Sequence, residues 1–95
     1  MINKSTIEKT PEGALIKTVW QDASGDVTQE GSAEDILRGH IRSEYSSFGL
    51  YVGVAEDDLI ISSDFCIQTD EFRGIITVPI HWIKSFKIIQ KKPNA

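Results

Sequence analysis

Residues 50–67 read LYVGVAEDDLIISSDFCI, and their pattern sets the fold class. Leu50, Val52 and Val54 alternate with Tyr51, Gly53 and Ala55, while Leu59, Ile61, Phe65 and Ile67 share one parity against Ile60, Ser62, Asp64 and Cys66. A period of two with one more polar face is what a half-buried antiparallel strand requires. Glu56-Asp57-Asp58 between the two runs has turn chemistry. The stretch therefore predicts a hairpin of two strands, Leu50–Glu56 and Leu59–Ile67. Leu50, Val52, Val54, Leu59, Ile61 and Phe65 are its expected core residues.

Upstream of this hairpin, Ser46-Ser47-Phe48-Gly49 reads as a turn and Ile41–Tyr45 as a short strand. Ser32 can cap a helix whose first turn carries Glu34 and Asp35 and whose end falls at Gly39; Ala33, Ile36 and Leu37 form its apolar side. Residues 22–31 read as loop. Ala14–Trp20, rich in β-branched residues and closed by an aromatic, reads as the first strand. Pro11-Glu12-Gly13 is a turn, and residues 1–13 are expected as a flexible arm. Downstream, Gln68–Arg73 reads as a charged loop with Phe72 folding back, and Gly74–Val78 as a strand. Pro79 lacks an amide donor and so ends that strand or lies at an edge. Ile80-His81-Trp82 makes a tight helical turn, Ile83–Ile89 a last strand, and residues 90–95 a polar tail. The expected fold is mainly β, with one domain over residues 14–89. It is a small barrel or a strongly bent antiparallel sheet of five or six strands with one short helix.

The totals agree with a single small domain. Ninety-five residues with 40% hydrophobic and 25% charged side chains are ordinary for a globular chain. A chain this short hides only about 60% of its unfolded surface, which leaves little room for a deep cleft. One cysteine, Cys66, excludes an intrachain disulfide and points to a reducing, cytoplasmic setting. No apolar run approaches the ~20 residues of a membrane helix, and residues 1–12 lack the apolar stretch of a signal peptide. No membrane association is therefore expected. Residues 1–71 hold fourteen acids and five bases, whereas residues 72–95 hold five bases and no acid. An acidic body with a basic end can orient a partner or a second copy.

The strand at Ile41–Tyr45, the pair Leu50–Glu56 and Leu59–Ile67, and the two short strands around Val78 and Ile83 resemble, in their order, the Sm-like type of small β-barrel. The likeness covers about half of the chain and implies the fold. The signatures of RNA binding in that family are absent: there is no Asp-x-x-x-Asn in residues 50–64 and no Arg-Gly pair between the last two strands. Trp20-Gln21-Asp22-Ala23, Gly49-Leu50-Tyr51-Val52 and Val78-Pro79-Ile80-His81-Trp82-Ile83 are also similar to segments of small uncharacterised bacterial and phage proteins. That likeness implies no activity.

Few residues are placed for chemistry. His40 and His81 lie far apart, without a second ligand at zinc spacing. Asp22-x-Ser24-x-Asp26 opens like a calcium loop, but Val27 and Ala33 stand where glycine and glutamate belong. Cys66 shares a strand face with Asp64, an acid expected to raise the thiol pKa. Ser62-Ser63 lacks the glycine setting of a serine hydrolase, and no glycine-rich phosphate loop occurs. Neither a cofactor nor a metal is expected.

The leading expectation is thus a non-enzymatic binding or assembly module, through a protein partner or self-association as a homodimer. Exposed sheet edges are commonly covered in this way, and Ile41–Tyr45 carries no guarding proline or lysine. A different reading is single-stranded nucleic-acid binding through Lys84, Lys87, Lys91, Lys92 and Trp82, which the net charge of −4 opposes. The plainer alternative there is that Trp82 and Phe86 fill the core while Lys84 lies at the rim. A third is a small enzyme with a site at His81, Asp70 and Glu71.

Overall fold

The computed structural model describes residues 2–22, 30–40 and 43–91. Its elements in chain order are helix α1 (Lys4–Glu8), strand β1 (Leu15–Gln21), helix α2 (Ala33–Arg38), and strands β2 (Glu44–Ala55), β3 (Asp58–Cys66) and β4 (Glu71–Pro79). A 3-10 turn (Ile80–Trp82) and strand β5 (Ile83–Gln90) complete the fold. The strands form one sheet in the order β4-β3-β2-β1-β5, with every neighbouring pair antiparallel.

The sheet is open, with β4 and β5 at its two edges, and the chain itself requires it to bend. Four strand spacings of about 4.8 Å would hold β4 and β5 roughly 19 Å apart if the sheet were flat. The three residues of the 3-10 turn rise only about 2 Å each, and even an extended link from Pro79 to Ile83 would reach only about 14 Å. The sheet must therefore curl until the end of β4 approaches the start of β5.

The bend is centred on β2. Residues 44–50 of β2 pair with β1, and residues 50–55 pair with β3; Leu50 alone faces a partner on both sides, Leu15 and Ser62. At Gly49 the two backbones nearly touch, since a Cβ there would lie 2.8 Å from the Ser62 carbonyl oxygen. Ser46–Gly49, expected as a turn, lies inside this long strand, so there are five strands rather than six. Tertiary pairing overrides the local turn signal: Ser46 and Ser47 face Val19 and Thr18, and Ser47 Oγ accepts a hydrogen bond from Trp20 Nε1 at 3.0 Å. Of the expected strand Ile41–Tyr45, Glu44 and Tyr45 belong to β2, whereas Ile41 and Arg42 lie outside the described residues.

The core comprises Ile7, Ala14, Ile16, Tyr51, Leu59, Ile61, Val78, Ile80 and Ile83. Val54 and Phe86 pack against it. The expected parity of β2 is inverted over its middle: Tyr51 is buried, while Leu50 and Val52 are only half-buried. A register shift between Tyr51 and Gly53 explains this. Tyr51 faces Ile61 before the shift and Val54 faces Leu59 after it, so both point inward across one extra residue. Phe65 is likewise outside the core, 39% exposed.

The segment expected as a flexible arm is instead tied down. Asn3 caps α1, its side-chain oxygen accepting from the Thr6 amide at 2.9 Å. Ile7 is fully buried. The Gly13 amide donates to the Tyr51 carbonyl and the Tyr51 amide to the Ala14 carbonyl, each at 2.8 Å. Helix α2 has the expected cap, with Ser32 Oγ accepting from the Asp35 amide at 3.2 Å, but buries none of its residues. At the other end, Gln90 belongs to β5 and faces Leu15, so the polar tail begins after it.

Candidate functional site

Of the residues expected to bind nucleic acid, Trp82 lies in the 3-10 turn, Lys84 and Lys87 on β5, and Lys91 just beyond it. Trp82 is half-buried and stacks on Trp20 with centroids 6.3 Å apart, and Trp20 stacks in turn on Tyr45 at 4.8 Å. Its ring thus forms part of an aromatic row along one end of the sheet. Lys84 is held by Glu44, its ammonium 3.0 Å from the carboxylate. That hydrogen bond, with a further one from Gln21, lowers the Glu44 pKa. Lys87 and Lys91 are exposed, and Lys92 lies outside the described residues.

The expected enzymatic grouping is dispersed. His81 sits exposed in the 3-10 turn after β4, whereas Asp70 and Glu71 stand at the far end of that strand. Nine strand residues at about 3.3 Å each separate them by well over 20 Å. Among the described residues no group of three or more His, Cys, Asp or Glu side chains could hold a metal ion. The calcium-like loop falls largely outside them. Cys66 departs from expectation in direction: hydrogen bonding from the Thr69 hydroxyl, then from backbone at Thr69 and Gln68, lowers its thiol pKa. These groups stabilise the thiolate more than burial opposes it.

Two other surfaces stand out. The first is the distal part of the β3–β4 hairpin. Beyond Ser62, β3 has no ladder with β2 and pairs only with β4, from Asp64↔Arg73 to Cys66↔Glu71. Residues expected as a mobile loop, Glu71–Arg73, are thus strand, and the turn is confined to residues 67–70. Ser62 marks the departure point. Its buried hydroxyl donates to the Arg73 or Asp64 carbonyl and accepts from the amides of Arg73 and Asp64, at 3.2 and 3.3 Å. Phe72 does not fold back on the core but meets Phe65 edge-on, with centroids 5.0 Å apart. Farther along the same edge, Ile75 and Ile76 are 52% and 45% exposed.

The second surface lies at the opposite end of the sheet, on the face of β1 turned away from the core. Ile16 and Thr18 point inward and are fully buried, so Lys17 between them points outward. Lys17 faces Lys87 across β5 and Phe48 across β2. Its ammonium lies 5.6 Å from the centre of the Phe48 ring, a cation–π contact. The sequence hid this row because its three members come from segments far apart in the chain.

A scan against protein-family models and searches of curated proteins and of solved structures find no match to this chain. Among the described residues no helix is long and apolar enough to cross a membrane.

Proposed function

We propose that this chain is a non-enzymatic assembly module of the Sm-like small-barrel type, which joins further copies of itself through its free sheet edges. The observation that carries this reading is the exposure of Ile75 and Ile76 on the unpaired edge strand β4. An edge presents unsatisfied backbone donors and acceptors, and natural edges are usually blunted by lysine, proline or a covering element. In β4 the proline stands only at the last position, Pro79. The other edge, β5, carries Lys84 and Lys87, with Lys91 just beyond it. The arm leading into β4 carries Asp64, Asp70 and Glu71 against the single base Arg73. A basic β5 edge and an acidic β3–β4 arm favour pairing of β4 in one copy with β5 in the next. The strand order, the 3-10 turn between β4 and β5 and the short helix before β1 support the Sm-like likeness.

Sedimentation velocity over a rising concentration series tests the reading. The wild-type chain is expected to associate, and Ile75→Lys/Ile76→Lys to remain monomeric with its fold intact. A wild-type monomer at the highest concentration reached would overturn self-association.

A further inference from the structure

We propose that the Lys17–Lys87–Phe48 row is a docking site for the acidic, aromatic tip of the β3–β4 hairpin of a second copy of this chain. The inference rests on the self-association reading and adds a contact that edge pairing alone does not require.

The first ground is an unbalanced charge. Lys17 and Lys87 are directly opposed on neighbouring strands, an arrangement that is destabilising for like charges. The ion pairs among the described residues are Lys4–Asp57, Arg38–Glu34 and Lys84–Glu44, so neither lysine is neutralised among the described residues. Beside them Phe48 is 61% exposed. Two adjacent cations and an aromatic face suit a partner that brings carboxylates together with apolar side chains.

The hairpin tip has that composition. Phe65 and Phe72 lock edge-to-face on one side of the arm, Asp64 and Glu71 fall on its other side, and Ile67 and Asp70 sit exposed at the turn. None of the three acids takes part in an ion pair among the described residues. With its β2 neighbour lost beyond Ser62, this two-stranded arm pairs with no third strand.

The tip and the row lie on different parts of one chain. The curl of the sheet brings β4 towards β5 at the Pro79 end, whereas the tip lies at the Glu71 end, a full strand length away. The complementary surfaces therefore point to contact between copies.

Charge exchange tests the contact. Lys17→Glu/Lys87→Glu and Asp64→Lys/Glu71→Lys are each expected to weaken self-association at least about tenfold. An equimolar mixture of the two should associate again, because the reversed row of one meets the reversed tip of the other, and added salt should weaken that mixed complex. Circular dichroism of each variant verifies the fold. Should either unfold, Lys17→Gln/Lys87→Gln and Asp64→Asn/Glu71→Gln take their place, and each is then expected to weaken association. If the wild type associates and the row variants associate equally well, the docking site is overturned while edge assembly stands. If the wild type is monomeric, both fall. If the mixture fails to associate, the pairing of row with tip is wrong. If the row variants lose binding to a labelled oligo-dT strand but keep self-association, the row serves nucleic acid and the inference is overturned.

Discussion

Ser62 is almost wholly buried, and its hydroxyl serves backbone groups on both strands of the hairpin at the point where β3 parts from β2. Ser62→Ala would strand those groups, and urea unfolding should report a loss of about 1–3 kcal/mol; no loss would mean that water replaces the hydroxyl. Gly74, on the facing strand, has φ +66°, and a Cβ there would collide with Ser63 Oγ, so alanine is disfavoured at the same joint on two counts. Thr10 is the reverse case. Its Oγ1 is buried with no hydrogen-bond partner among the described residues, so Thr10→Val should leave the midpoint unchanged or raise it by a few degrees. A fall would show that the hydroxyl has a partner after all. At Cys66, hydrogen bonding from Thr69 favours the thiolate. Iodoacetamide at neutral pH should thus react faster with the wild type than with Thr69→Val, in which the thiol pKa rises and less thiolate is present. Equal rates would remove Thr69 as the cause.

Helix α1 and the β3–β4 hairpin show how far each element could be read from the chain. The Leu50–Ile67 alternation reveals a hairpin because strand, turn and strand are local. Ser32 as a cap and the tight turn after Pro79 are equally local. The extra residue at Val52 is not: Gly53 beside it fits a bulge but equally close strand packing, and the inward set changes from Leu50 to Tyr51 because of what β3 offers opposite. Nor does residue 7 announce its burial, since one isoleucine in a polar segment has no period. Ile7→Ala should cost about 2–5 kcal/mol, as a core truncation does, whereas Phe65→Ala should cost much less because the ring is partly exposed. Equal losses would place the hairpin tip in the core. Hydrogen exchange should separate the two halves of β3, with Leu59–Ser62 slow between two neighbours and Asp64–Cys66 faster with one. The row of Lys17, Lys87 and Phe48 stayed hidden for the reason that hid the docking of α1: both depend on strand pairing between distant segments.

At the scale of the whole molecule, an acidic body and a basic end become two separate surfaces, one on the β3–β4 arm and one across β1 and β5. Association driven by them should weaken as salt rises from 0.05 to about 0.5 M, where screening shortens to a few ångströms; salt-independent association would assign the contact to the apolar edge alone. The three-residue link between the outer strands also has a consequence in time. Strand β1 takes β5 as its outer partner, with Trp20 facing Ile83 and Leu15 facing Gln90, pairs more than sixty positions apart. Closing so long a loop is entropically slow, and no earlier strand can stand in for β5. During synthesis at roughly 5–20 residues per second, β1 therefore waits several seconds with its outer flank bare. The 3-10 turn holds β5 against the end of β4, so the last strand is delivered to that flank as soon as the curl forms. The order of birth makes the final strand the latch, and an unfinished chain is the form most exposed to capture by its neighbours.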